Sequence, residues 1–133
     1  MLKNEAVPVL SCEEAAGFEE RILKRDPELE WRAMSEAGRK IGRAVVRDFR
    51  EIGEIPAKLR ILVLAGKGHN AGDAFLAVGE ILREFPKAEI DLVFAFSEGE
   101  LSPLAKRALE ELRAVSERVR SFDFEDRERI RRF

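Results

Sequence analysis

Apolar residues along this chain recur in two alternating rhythms. Spacings of three and four mark helices, and short unbroken apolar runs mark strands buried on both faces. Ser11-Cys12-Glu13-Glu14 has the form of a capping box and predicts a helix from about Cys12 to Lys24, with Ala15, Phe18 and Ile22 on one face. Asp26-Pro27 opens a second helix, as an N-cap followed by proline at the first helical position. Trp31, Met34, Ala37, Gly38, Ile41, Val45, Phe49 and Ile52 give that helix one long amphipathic stripe, which Gly53 and Pro56 end.

The rhythm then changes. Arg60 to Leu64 predicts a first strand, followed by the turn Gly66-Lys67-Gly68 and a helix from about Ala71 to Glu84. Glu89 to Phe96 predicts a second strand, parallel to the first because a helix of crossover length separates them. Ser97-Glu98-Gly99 reads as a turn, and Ser102-Pro103 starts a helix that runs to about Val115. Glu117 to Phe124 alternates as a third strand with Phe122 and Phe124 on one face, and Glu125 to Phe133 is a charged tail with room for one or two helical turns. Two N-terminal helices followed by β-α-β-α-β give an α/β domain over residues 1–133, corresponding to half of a doubly wound sheet. Three parallel strands leave unprotected edges, so either a partner covers the third strand or the domain is part of a longer one.

Composition narrows the function classes. The 24 Lys and Arg against 26 Asp and Glu give a net charge of -2, with no basic balance to suit nucleic acid or an anionic membrane. The arginines at 127, 129, 131 and 132 are interrupted by acids and read as a solvated face. No apolar run approaches the roughly 20 residues of a membrane span, and the N-terminus lacks a signal-peptide core, so a cytoplasmic protein is expected. Cys12 is the single cysteine, which excludes an intrachain disulfide and a Cys-based zinc site. Dense Glu, Lys and Arg with few Asn and Gln lean towards a thermophilic source.

The candidate chemistry gathers after the first strand. Strand, glycine turn and helix form the layout of a phosphate-binding loop, in which backbone N–H groups and the helix dipole face an anion. Gly66-Lys67-Gly68 departs from strict Gly-x-Gly-x-x-Gly, and no Gly-Lys-Ser/Thr of a P-loop is present. His69, Asn70 and Asp73 crowd a turn that a mere connection would leave bare. Asn70 offers a carbonyl oxygen to a hard cation or an amide to a phosphate, His69 a ring donor, and Asp73 either a helix cap or a shaping group for the loop. Gly38 and Gly42, four apart on one helix face, predict close approach of another backbone.

Leu62 to Ala74 resembles the signature of the YjeF N-terminal domain family, the NAD(P)H-hydrate epimerases, in which a strand leads into Gly-x-Gly-Asn-Asn-Gly-Gly-Asp-Gly. Met34-Ser35-Glu36-Ala37-Gly38 is similar to the family's Met-Glu-x-Ala-Gly, and Val9-Leu10-Ser11 and Ser102-Pro103-Leu104-Ala105 are similar to its helix starts. The resemblance implies a three-layer αβα Rossmann-like fold, commonly a homodimer, whose enzymes interconvert the epimers of hydrated NADH and NADPH. It also implies a potassium ion beside the substrate phosphate, with Asn70 as metal ligand, and a dehydratase as fused domain or partner. Gly66, Lys67, Gly68, His69, Asn70, Ala71, Gly72 and Asp73 match the substrate-phosphate loop. His69 stands where the first asparagine is usual, and Ala71 and Ala74 replace glycines. The family's catalytic aspartate follows a further strand and has no counterpart in these 133 residues; Asp123 matches it poorly, and Lys106 is the nearest candidate for the family's lysine. The alternative function is a non-catalytic nucleotide-binding or dimerisation module of the same fold. A homodimer through the two N-terminal helices is expected, on the strength of Trp31 and the Gly38/Gly42 face.

Overall fold

The first helix is set by its cap. In a computed structural model that describes residues 9–125, Ser11 Oγ accepts from Glu14 N at 3.2 Å and Ser11 N donates to Glu14 Oε2 at 2.8 Å, starting α1 (Cys12–Leu23). Lys24 and Arg25 take left-handed backbone and end it. Asp26 Oδ1 then accepts from Glu28 N at 2.9 Å and Pro27 begins α2 (Pro27–Ile52), as its sequence predicts. The expected tail turns and the arginines at 127, 129, 131 and 132 lie outside the described residues. The chain divides into two compact units, Met1–Arg32 and Ala33–Phe133.

In the first unit the inward stripe expected of α1 is not buried. Phe18 and Ile22 are exposed, and none of the helix's residues is fully covered. The stripe expected of α2 also divides. Trp31, Met34, Gly38, Gly42 and Val46 are buried, while Ile41, Val45, Phe49 and Ile52 form a second row open to solvent. In the second half of α2 the covered positions are Gly42 and Val46, each one residue beyond Ile41 and Val45, so the face in contact there is rotated from the stripe that the apolar spacing marks.

The second unit holds a three-stranded parallel sheet of order β1-β2-β3, with β1 (Arg60–Ala65), β2 (Glu89–Phe94) and β3 (Val119–Asp123). The register runs Val63↔Leu92 and Ala65↔Phe94 between the first two strands, and Val93↔Phe122 between the last two. The crossovers are α3 (His69–Glu84) and α4 (Pro103–Val115), which pack against each other. Phe75, Phe94, Ile90, Leu92 and Leu112 are the largest fully buried side chains and fix the core between sheet and helices. Ser97-Glu98-Gly99, expected as a turn, leads into a short 3-10 turn, Glu98–Glu100. Phe122 is half-buried and Phe124, beyond the end of β3, is exposed. Among the described residues no helix is long and apolar enough to cross a membrane.

Close approach at the Gly38/Gly42 face is borne out, and the backbone that approaches belongs to α3. A Cβ on Gly38 would lie 2.6 Å from Leu76 Cβ and 2.9 Å from Asp73 O; one on Gly42 would run into the Ala77 carbonyl oxygen. Arg43–Glu80 (2.9 Å) and Arg50–Glu84 (2.7 Å) line the same helix pair. That face is therefore filled within the chain and is not open to a second copy. Ser35 Oγ is buried on α2 with no hydrogen-bond partner among the described residues. A buried hydroxyl left unmatched costs stability, and alanine is the better helix former. Ser35→Ala is expected to stabilise the protein by about 1 kcal/mol in urea unfolding.

Candidate functional site

The helix after the glycine turn starts two residues earlier than its apolar pattern suggests. Gly68, extended at φ -92° and ψ -167°, is the N-cap of α3, and His69 and Asn70 occupy the first helical turn. The Ala71 N–H donates to Gly68 O at 3.1 Å. The N–H groups of Gly68, His69 and Asn70 precede it, at the end of the helix where N–H groups lack intrahelical acceptors. No described glycine has a positive φ, so the turn is made with ordinary backbone. A Cβ on Gly66 or Gly68 would meet nothing within 4 Å, which leaves both glycines open to an approaching group.

The eight residues of the expected loop separate into two sets. Gly66, Lys67, Gly68, His69 and Asn70 are exposed together at the C-terminal end of β1. Ala71 is only 3% exposed and turns into the core, and Gly72 packs where a Cβ would lie 2.7 Å from Met34 Sδ and 3.3 Å from Ala105 Cα. Gly72 therefore joins α3 to α2 and α4. The methyl of Ala71 is core and that of Ala74 half-buried, so neither lies in the open glycine turn.

Asp73 does not cap the helix, because the cap is Gly68 and no side chain bonds there. Asp73 is half-buried, and that burial pushes its carboxyl above the usual range, with the nearby His69 pulling it back in part. A carboxylate kept in a position that disfavours its charge is typical of functional sites. The sign of the linkage follows from this direction. The folded protein holds the Asp73 proton to higher pH than the unfolded chain, so stability falls as pH rises through the carboxylate range. Asp73→Asn is thus expected to raise the thermal midpoint at pH 7 and leave it nearly unchanged near pH 3, where both states are protonated.

Two neighbours of the turn escaped the sequence reading. Lys67 O accepts from the backbone N–H of Ser102, the N-cap of α4, at 2.8 Å, and the Lys67 ammonium lies 4.6 Å over the Phe96 ring. Both follow the end of β2, and the rule that ligand sites gather at the C-terminal ends of parallel strands is the signal that would have found them. The α4 start is braced further on. Arg113 donates to both Glu98 carboxylate oxygens at 2.6 and 2.8 Å and to Ser121 Oγ at 2.8 Å. The turn thus brings two helix N-termini and one lysine to a single end of the sheet, a field that favours an anion.

Asp123, at the same end of β3, is exposed and two strands away from β1, at roughly 10 Å by strand spacing. Lys106 is exposed on α4, one turn beyond Ser102. For a cation, Asn70 supplies one side-chain oxygen, and the described residues hold no group of three or more His, Cys, Asp or Glu that could bind a metal.

A family model described as YjeF-related protein N-terminus matches residues 31–131. No curated protein sequence matches the chain. Among solved structures, the crystal structure of yeast ynu0, YNL200c, is similar, with a TM-score of 0.63 and 21% identity. The likeness covers 86% of this chain and 47% of the yeast chain, so this chain spans about half the length of that protein. At that identity the likeness speaks for the fold, an α/β domain with a parallel sheet. With the family model extending over α2, the glycine turn and all three strands, the chain belongs to the family of YjeF-related protein N-termini.

Proposed function

We propose that the exposed turn Gly66 to Asn70 binds a phosphate of hydrated NADH or NADPH, and that the chain serves the epimerisation of that nucleotide. The observation that carries this reading is the turn itself. Open glycines, the first N–H groups of α3 and the Lys67 ammonium converge at the C-terminal end of β1. Asn70, on the first turn of α3, adds an amide donor to the phosphate. Epimerisation moves a proton or water at the hydrated carbon and calls for a carboxylate-type acid or base. Potassium at Asn70 is part of the same proposal, with no step routed through it. A homodimer and a dehydratase, fused or separate, are its proposed partners, and the cytoplasm its proposed place.

A second reading is a module that binds the nucleotide without turning it over. The observation that favours it is the acid inventory of the sheet end, where Asp123 stands well away from the turn and Asp73 lies half-buried in α3. Incubating the protein with R-NADHX and following the epimers by chromatography separates the two. Interconversion supports the enzyme. Binding without interconversion supports the module, and absence of both overturns the proposal.

A further inference from the structure

Phe96 stands two residues beyond the end of β2 with its side chain 47% exposed. A single exposed apolar side chain is common and says nothing by itself. Its place and its fastening set this one apart. The Ala95 N–H donates to Ala65 O at 2.9 Å, so the pairing of β1 with β2 continues up to the residue before Phe96, beside the glycine turn. Ser97, the residue after it, opens a capped turn. Its N–H donates to Glu100 Oε2 at 3.1 Å, and Glu100 N donates to Ser97 O at 3.0 Å. Bonds on both sides thus hold the Phe96 ring in the open at the C-terminal end of the sheet.

Lys67 reaches that ring from the neighbouring strand. Its carbonyl accepts from Ser102 N at 2.8 Å, which fixes its backbone, and its ammonium lies 4.6 Å from the centroid of the Phe96 ring. Among the described residues no carboxylate pairs with Lys67. The acids that follow Phe96 are engaged elsewhere, Glu98 by Arg113 at 2.6 and 2.8 Å and Glu100 by Ser97. A cation on an exposed ring is held only by the ring quadrupole, which is weaker than a charge-assisted hydrogen bond to phosphate. A phosphate at the glycine turn therefore draws the ammonium off Phe96 and uncovers an aromatic face beside the bound group.

We propose that Phe96 is the platform on which the purine of the nucleotide stacks, and that Lys67 covers this face in the free protein and exchanges it for the phosphate on binding. This rests on the phosphate reading of the turn. Bases stack on aromatic side chains through their flat π-faces. The hydrated nicotinamide ring is puckered by its sp3 carbons, so the purine is the flat ring that the nucleotide offers. The span suits one nucleotide unit. A single lysine side chain reaches from the turn to the ring, and a single ribose separates a 5′-phosphate from its base.

Titration with 5′-AMP and with ribose 5-phosphate tests the platform apart from the phosphate site, because the two ligands differ only in the base. The parent chain is expected to bind 5′-AMP at least about tenfold more tightly. Nuclear Overhauser contacts should join the purine protons to the Phe96 ring. With either ligand the Lys67 ε-methylene protons, shielded by the ring in the free protein, should move downfield. Phe96→Leu should bring the two affinities together by weakening 5′-AMP alone, and Phe96→Trp should restore the difference. If Phe96→Leu fails to fold, the contacts in the parent chain decide. Equal affinities in the parent, an advantage of 5′-AMP that survives Phe96→Leu, or a purine without contact to Phe96 overturns the platform and leaves the phosphate reading standing. Lys67 protons unmoved by either bound ligand overturn the exchange. Binding of neither ligand overturns both the platform and the phosphate reading.

Discussion

Replacing Gly42 with alanine is expected to destabilise the protein by about 2 kcal/mol, lowering its thermal midpoint by roughly 6–10 °C. The new methyl would meet the Ala77 carbonyl oxygen, with Ala77 C at 3.1 Å and Glu80 Cβ at 2.9 Å. Two of those three atoms are backbone of α3 and cannot rotate away, so the helices must separate. Alanine's better helix propensity returns at most about 1 kcal/mol. Gly79→Ala provides the opposite sign. Gly79 lies within α3, where an added Cβ meets nothing within 4 Å, so only the propensity gain of up to about 1 kcal/mol is left. Denaturant unfolding of both variants checks the pair. Equal effects would mean that α2 and α3 do not meet at Gly42.

Asn70→Asp is expected to move stability and binding in opposite directions. Asn70 is the second residue of α3, and a carboxylate there sits against the positive end of the helix dipole. That favours the fold by about 0.3–1 kcal/mol. The same charge repels a phosphate at the turn and removes an amide donor. A hydrogen bond to a charged group contributes about 1.5–3 kcal/mol, so affinity for the nucleotide should fall by at least about tenfold. The two readouts are a thermal midpoint and a nucleotide titration on the same sample. An Asn70 whose task is to hold a cation would instead tolerate or gain from the added carboxylate, and a rise in nucleotide affinity would show it.

Much of the fold was legible because local chemistry and tertiary structure agree. Ser11 and Glu14, Asp26 with Pro27, and Ser102 with Pro103 start their helices where the sequence puts them. The apolar runs at Ile61 and Ile90 are parallel strands in register. The start of α3 at His69 is hidden from the sequence because its cap is a glycine without a side chain to announce it. The Gly38/Gly42 pair announced a close backbone, but spacing along one helix cannot say whose. Asp91 sits within an apolar run, and its burial between Arg60 and Arg120 depends on pairing across three strands. The open turn was legible from its glycines. Its division into exposed Gly66 to Asn70 and packed Ala71 and Gly72 required the positions of Met34 and Ala105.

The proposed function depends on the turn before α3 holding a nucleotide phosphate. Calorimetric titration of the protein with NADPHX, repeated with Asn70→Asp, tests it most directly. Saturable binding to the parent chain is expected, weakened at least about tenfold in the variant. Binding of equal strength in both proteins, or none in the parent, would contradict it.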